Sequence, residues 1–153
     1  MQNKIDDKFL ELMLLQAKQN DDRIPFYVFN IEKLKNHLKM MKQIVGDIPI
    51  YFSMKSNPML INIVDGFVDG FEVSSGEGEL EICKKAKIRA NKISFTGVMK
   101  TEDDMREALD YGVQIISIES KHQLEVLKQV LISDYPGRQI NIMLRLTSIR
   151  HIN

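Results

Sequence analysis

The chain has 153 residues, a length typical of a single domain, and its 21 basic and 21 acidic residues give a formal net charge of zero. This balance argues against a general binder of nucleic-acid backbones, and an aromatic content of 7% without tryptophan argues against a platform that stacks on single strands. The single cysteine, Cys83, excludes an internal disulfide framework and a zinc site of clustered cysteines, and it favours the reducing cytoplasm.

The N-terminal segment, residues 1–23, is predicted to form a surface helix. Four apolar residues recur there at helical spacing: Phe9, Leu10, Met13 and Leu14. The apolar run 12–15 is short and precedes no small-residue cleavage site, so it does not resemble a signal peptide. No part of the sequence reaches the ~20 consecutive apolar residues that a membrane-spanning helix needs.

From residue 24 onwards, short β-branched or aromatic runs alternate with apolar stripes of helical period. The runs predict strands at 25–29, 49–54, 71–74, 92–96, 113–118 and 140–146. The stripes predict helices within 31–45, 60–67, 80–86, 105–109 and 124–131. Four corresponding strand residues lie about 22 residues apart, which indicates a repeated βα unit: Phe52, Val73, Phe95 and Ser117.

Capping residues mark the starts of several predicted helices. Asn57 and Pro58 resemble an N-cap followed by proline at the first helical position. Thr101 precedes three acidic residues, 102–104, which suit the positive end of a helix. Two pairs have the spacing of a capping box: Ser74 with Glu77, and Ser120 with Gln123.

Strands connected by helices imply a parallel sheet, either an open doubly wound sheet or part of a (β/α)₈ barrel. The predicted strands have one apolar face and one face that becomes more polar toward the carboxyl end. Residues of the polar faces include Tyr51, Ser53, Lys55, Glu72, Ser74, Ser94, Thr96, Ser117, Glu119, Asn141 and Arg145. A sheet covered by helices on both faces should be apolar throughout, whereas a barrel has its active site at the carboxyl-terminal mouth. The pattern therefore favours an α/β fold that forms part of a TIM barrel.

Lys55 follows a predicted strand at this mouth and precedes a capped helix. A lysine in that position is expected to be partly desolvated, which suits Schiff-base chemistry. On position alone, a solvated loop lysine is the simpler interpretation.

The residues around Lys55 carry a family resemblance. Residues 51–58, Tyr-Phe-Ser-Met-Lys-Ser-Asn-Pro, resemble the Tyr-(Ala/Ser)-x-Lys-(Ala/Ser)-Asn-Pro motif of the fold-type III, alanine-racemase-like pyridoxal-phosphate-dependent decarboxylases, which include diaminopimelate, ornithine and arginine decarboxylases. The resemblance continues in order through 25–29, 70–80, 95–101 and 144–146, with an ambiguous register at 76–78. Residues 68–75 are most similar to the branch that decarboxylates siderophore or antibiotic precursors.

The resemblance implies a barrel that binds pyridoxal 5'-phosphate. Lys55 would be the catalytic Schiff-base lysine, and Arg145 would stabilise the phenolic oxygen of the cofactor through its permanent charge. Glu72 would orient the lysine ammonium. Without the resemblance, a salt bridge of Arg145 with Glu72 or Glu119 explains these residues.

The remaining chemically reactive residues predict no further site. The three histidines, His37, His122 and His151, lie apart without the spacing of metal ligands. His151 follows Arg145 too closely to be the histidine that stacks on the cofactor in the family. Cys83 lies on the apolar stripe of its helix and is predicted to be a buried thiol.

The family pattern is present only in part, because about five barrel strands are predicted where a full barrel has eight. The stacking histidine, the glycine-rich phosphate loop, the acid that pairs with the pyridine nitrogen and the C-terminal β-domain are not matched. We therefore expect residues 24–153 to be an incomplete pyridoxal-phosphate-binding domain, inactive alone.

We expect an amino-acid substrate, and either a homodimer as in the full-length family or a complementing C-terminal chain. We expect no nucleic-acid or membrane partner. Two alternatives remain open: a pyridoxal-phosphate-dependent racemase or cofactor-carrying barrel, and a non-catalytic remnant or partner-binding fragment.

Overall fold

A computed structural model of the chain describes residues 7–19 and 28–146. These residues form a series of α-helices alternating with parallel β-strands. The helices are α1 (Asp7–Gln19), α2 (Ile31–Val45), α3 (Ile61–Val64), α4 (Glu81–Lys85), α5 (Glu102–Tyr111) and α6 (Lys121–Asp134). The strands are β1 (Tyr51–Ser53), β2 (Gly70–Val73), β3 (Ile93–Phe95), β4 (Ile115–Ile118) and β5 (Asn141–Leu144).

All five strands form one parallel sheet in the order β1-β2-β3-β4-β5. One row of the register runs across the whole sheet: Ser53, Glu72, Ser94, Ile115 and Asn141. In a doubly wound sheet the strand order reverses at a switch point, whereas barrel strands follow one another in chain order. The predicted partial barrel is therefore confirmed, and the open doubly wound alternative is wrong.

The core lies between one face of the sheet and the helices. The strand residues on either side of the register row point to the opposite face of the sheet. Fully buried residues among them include Phe71, Val73, Phe95 and Ile116. The connecting segments cover them with buried side chains that include Val64, Leu80, Met105, Leu109 and Leu127. By contrast, α1 has no buried residue, as expected of a surface helix. The helices lie against the apolar face, so the polar face is left to form a site.

Several predicted helix ends are confirmed. Thr101 is the N-cap of α5, and its hydroxyl accepts a hydrogen bond from the Asp104 backbone at 3.1 Å. The Asp104 carboxylate accepts one in return from the Thr101 backbone at 2.9 Å, which completes a capping box. Ser120 caps α6 by accepting from the Gln123 backbone at 3.2 Å. The second half of that predicted box is absent, because the Gln123 side chain accepts instead from the Glu119 backbone.

The predicted capping box of Ser74 with Glu77 is wrong. Residues 76–80 form a π-helical turn, Gly76–Leu80, whose N-cap is Ser75. The Ser75 hydroxyl accepts from the Glu79 backbone at 3.1 Å, and the Glu79 carboxylate accepts from the Ser74 backbone at 2.7 Å. A π-turn contains one residue more than an α-turn. Both capping residues are therefore displaced along the chain from the predicted pair, to Ser75 and Glu79.

One further prediction is confirmed in part, and another fails. Asn57 is the N-cap and Pro58 is at the first helical position, but the Asn57 side chain forms no capping hydrogen bond and the helix that begins there is a short 3₁₀-helix, Pro58–Leu60, ahead of α3. Val28 and Phe29, the described end of the strand predicted at 25–29, belong to no strand. The rest of that predicted strand lies outside the described residues.

Replacing Thr101 with alanine is expected to lower the free energy of unfolding by about 1 kcal/mol, because the first turn of α5 loses its cap. Thr101→Ser retains the hydroxyl and should unfold at nearly the wild-type urea concentration. Urea titrations followed by far-UV circular dichroism measure both variants. Equal losses in the two variants would show that the hydroxyl does not stabilise the helix.

Candidate functional site

The polar face of the sheet lines a groove of about 640 Å³ at the carboxyl ends of the strands. Its charged and hydroxyl-bearing walls include Lys55, Glu72, Thr96, Ser117, Glu119 and Arg145. Side chains alternate between the two faces of a strand. The groove is therefore lined by residues that lie two positions apart along the same strand. Examples are Ser117 and Glu119 at the end of β4, and Met143 and Arg145 at the end of β5.

The three site residues predicted from the sequence, Lys55, Glu72 and Arg145, all line this groove. Lys55 lies in the turn after β1, Glu72 lies within β2, and Arg145 directly follows β5. The Arg145 backbone N–H donates to the Ile118 carbonyl at 3.0 Å, which extends the pairing of β5 with β4. Residues far apart in the sequence thus meet because the parallel strands end at one edge.

Lys55 has a fixed backbone and an exposed side chain. The preceding residue, Met54, is fully buried, and its N–H donates to the Glu72 carbonyl at 3.0 Å. The side chain of Lys55 itself is exposed, so the expected partial desolvation is wrong for the described residues. The expectation assumed the surroundings of a closed barrel mouth, whereas the described strands form one side of it.

Glu72 is half-buried and held by the neighbouring strand. The Thr96 hydroxyl donates to Glu72 Oε1 at 3.1 Å. Thr96 is buried, its backbone N–H donates to the Val73 carbonyl at 2.7 Å, and that carbonyl also lies 3.3 Å from its hydroxyl as a second acceptor. One oxygen of Glu72 therefore has a hydrogen-bond donor in the wall of the groove. This contact could not be predicted from the sequence, because it depends on the register between β2 and β3.

Arg145 pairs with Glu119, one of the two salt bridges considered from the sequence. Arg145 Nη1 lies 3.2 Å from Glu119 Oε2. The partners differ in exposure, since the Arg145 side chain is 65% exposed and the Glu119 side chain is 6% exposed. Within the described residues, the other Glu119 oxygen, Oε1, is buried without a hydrogen-bond partner. Buried polar atoms without partners are rare and mark sites that need an explanation.

Lys100, in the loop between β3 and α5, was not predicted as a site residue. It is 7% exposed and its ammonium donates to the Gly97 carbonyl. Burial lowers the pKa of Lys100, and the negative charges of Glu119 and Asp104 oppose that shift. Gln123 holds the same loop, because its amide donates to the Val98 carbonyl at 2.7 Å. The buried amine of Lys100 thus lies in a loop that is anchored to α6.

The single cysteine and two of the three histidines lie on helices. Cys83 is fully buried as predicted, and burial raises the pKa of its thiol to about 12, which leaves it un-ionised near neutrality. His37 and His122 are exposed on helices, and His151 lies outside the described residues. Among the described residues, no three His, Cys, Asp or Glu side chains are grouped as metal ligands. No helix in that part of the chain is long and apolar enough to cross a membrane.

Comparison with known proteins identifies relatives along most of the chain. The family model described as pyridoxal-dependent decarboxylase, pyridoxal binding domain, matches residues 31–151. A diaminopimelate decarboxylase from Aquifex aeolicus is 29% identical over 124 residues, which cover 80% of this chain and 29% of that protein. A decarboxylase of a substituted 2-hydroxybutanedioate from Staphylococcus aureus is 30% identical over 128 residues, which cover 81% of this chain and 31% of that protein. The two identities are nearly equal, so the branch suggested by residues 68–75 stays a prediction.

Solved structures support the fold. The lysine/ornithine decarboxylase of Vibrio vulnificus, crystallised with putrescine, superimposes with a TM-score of 0.78 at 16% identity. The alignment covers 94% of this chain and 38% of that chain. The chain likewise spans about a third of the length of the curated relatives it matches.

Proposed function

We propose that the groove of this chain is part of a pyridoxal-phosphate site of an amino-acid decarboxylase, because the chain belongs to the pyridoxal-dependent decarboxylases through their pyridoxal binding domain. The observation that carries the proposal is the convergence of an amine, a carboxylate and a guanidinium, from Lys55, Glu72 and Arg145, on one groove. The reaction class is the loss of an α-carboxylate as carbon dioxide from an amino acid.

The residues of the groove fit this cofactor. Pyridoxal phosphate carries an aldehyde, a phenolic oxygen and a phosphate, so it needs an amine and hydrogen-bond donors of positive charge. Lys55 supplies an accessible amine on a fixed backbone, and Arg145 supplies a permanent cation that can face the phenolic oxygen.

Each residue has a separate task in the proposed reaction. When bound, the cofactor supplies an electron sink for the bond that the leaving carboxylate vacates. Lys55 would hold the cofactor covalently and release it to the substrate amine. Glu72, fixed by Thr96, would hold the ammonium of Lys55 after that release. Arg145 would stabilise negative charge on the phenolic oxygen.

The described strands supply only part of the wall of such a site. Five strands are described, whereas a closed barrel of this kind has eight. We therefore propose that decarboxylation requires further barrel strands, either from the same polypeptide or from a complementing chain. Substrates of the diaminopimelate or ornithine type, and a homodimer, belong to the same proposal.

Borohydride trapping tests the proposal on the 153-residue chain. The chain is mixed with pyridoxal phosphate, reduced with borohydride, digested and mapped by mass spectrometry. We expect the label on the peptide that contains Lys55, and no carbon dioxide from diaminopimelate, ornithine or arginine. A label spread evenly over exposed lysines would contradict a cofactor site, and carbon dioxide release by this chain would contradict its incompleteness.

A further inference from the structure

Glu119 differs from Glu72, the other acidic residue that lines the groove, because its side chain is buried while only one of its oxygens has a partner among the described residues. One oxygen pairs with Arg145 and the other, Oε1, has no partner among the described residues. Burying a carboxylate is costly unless both oxygens are compensated. An acidic residue that serves stability alone would be placed where both oxygens find donors. The arrangement therefore points to a task for the carboxylate that goes beyond stabilising the fold.

The backbone of Glu119 is held more firmly than the side chain of Arg145, with which Glu119 pairs. Its N–H donates to Gln123 Oε1 at 3.0 Å, and Gln123 is buried and tied to the Val98 carbonyl. Glu119 thus lies at a junction between the end of β4 and the loop after β3. Arg145, by contrast, follows the edge strand β5 and extends a long side chain toward solvent.

We infer that Glu119 is a positioning residue that fixes the Arg145 guanidinium at the mouth of the groove. A free arginine side chain samples many rotamers, so it binds an anionic oxygen only after paying a cost in conformational entropy. A charge-assisted hydrogen bond to a rigid carboxylate removes most of that cost in advance. The unused Oε1 can accept a second N–H, which would give the two-bond geometry typical of arginine–carboxylate pairs.

The identity of the anion that Arg145 would bind rests on the proposed function, whereas the contact between Glu119 and Arg145 does not. Among the described residues, the ion pair of the Glu119 carboxylate is the one with Arg145. Removing the negative charge of Glu119 should therefore release Arg145.

Side-chain NMR of the 153-residue chain without cofactor tests the contact directly. In the ¹⁵N-labelled wild type, Arg145 should show resolved guanidinium signals because its rotation is hindered, and Arg145→Lys assigns them. Glu119→Gln retains the shape but removes the charge, so the signals should merge into one averaged signal. Arg106, which is paired with Glu102 and Asp134, is an internal reference that should not change. Glu125→Gln, on the exposed surface of α6, is the matched control.

A second measurement tests the positioning role. The dissociation constant for pyridoxal phosphate, from absorbance titration, should increase about tenfold in Glu119→Gln and in Glu119→Asp, whose shorter side chain withdraws the carboxylate. Glu125→Gln should bind as the wild type does. Backbone NMR spectra establish whether each variant is folded. If Glu119→Gln does not fold, Glu119→Asp takes its place in the guanidinium NMR comparison.

The possible results separate the two proposals. Hindered signals of Arg145 in Glu119→Gln, or averaged signals in the wild type, would overturn the inference. Averaged signals with unchanged cofactor affinity would overturn the positioning role. A wild-type chain that does not bind pyridoxal phosphate would contradict the proposed function, while the NMR comparison would still decide whether Glu119 fixes Arg145.

Discussion

Replacing Lys55 with alanine is expected to abolish the covalent labelling of the chain by pyridoxal phosphate and borohydride. Lys55 is exposed at the groove and its backbone is anchored through the buried Met54, so its amine is accessible from the groove. Covalent attachment requires a free amine, and alanine has none. Peptide mapping should therefore show no labelled peptide in the variant above the background of exposed lysines.

Lys100 is a second lysine that this experiment must distinguish from Lys55, because it is buried in the loop between β3 and α5. Its pKa is lowered by burial, which favours the neutral, nucleophilic form, although its ammonium is engaged with the Gly97 carbonyl. We expect it to remain unlabelled in both proteins, since it is 7% exposed. Lys128→Ala, on the exposed surface of α6, serves as the control and should leave the label on Lys55. Strong labelling of Lys100 in either protein would assign the cofactor to a different amine.

The alternation of strands and helices was predictable because short β-branched or aromatic runs indicate the strands and apolar stripes of helical period indicate the helices. The helix boundaries were less predictable where backbone geometry departs from the α-helix. At residues 76–80, which include the ambiguous register at 76–78, the chain forms a π-turn that no local propensity predicts. The family resemblance is confirmed by the match over residues 31–151.

The site was predictable in composition but not in pairing. The polar alternation along each strand brought Lys55, Glu72 and Arg145 to one groove, because parallel strands end together. The choice between Glu72 and Glu119 as the partner of Arg145 depends on the register of β4 with β5, where Ser117 pairs with Met143. That register is set by tertiary packing, so one sequence could not decide it. The exposure of Lys55 was mispredicted for a related reason, since burial depends on how many strands surround a residue.

Replacing Phe95 with alanine is expected to lower the free energy of unfolding by about 3–5 kcal/mol, the largest loss of any single change considered. Phe95 lies fully buried in β3, the central strand of the sheet, and packs in the core formed with the helices. Small domains have only about 5–15 kcal/mol in total, so the variant should be marginally folded. Urea titrations followed by circular dichroism measure the loss, and Ile132→Ala, at a side chain that is 67% exposed, should change it by less than about 0.5 kcal/mol.

The same change should also affect the groove, because Phe95 directly precedes Thr96, whose hydroxyl fixes Glu72. A cavity beneath β3 would allow the strand to shift and would loosen that contact. If Phe95→Ala does not fold, Phe95→Leu fills most of the volume and should cost about 1–1.5 kcal/mol. A loss below about 1 kcal/mol in the alanine variant would contradict the assignment of Phe95 to the core. The strength of cofactor labelling at Lys55, measured in the folded variant, then shows how far the apolar face of the sheet controls the geometry of its polar face.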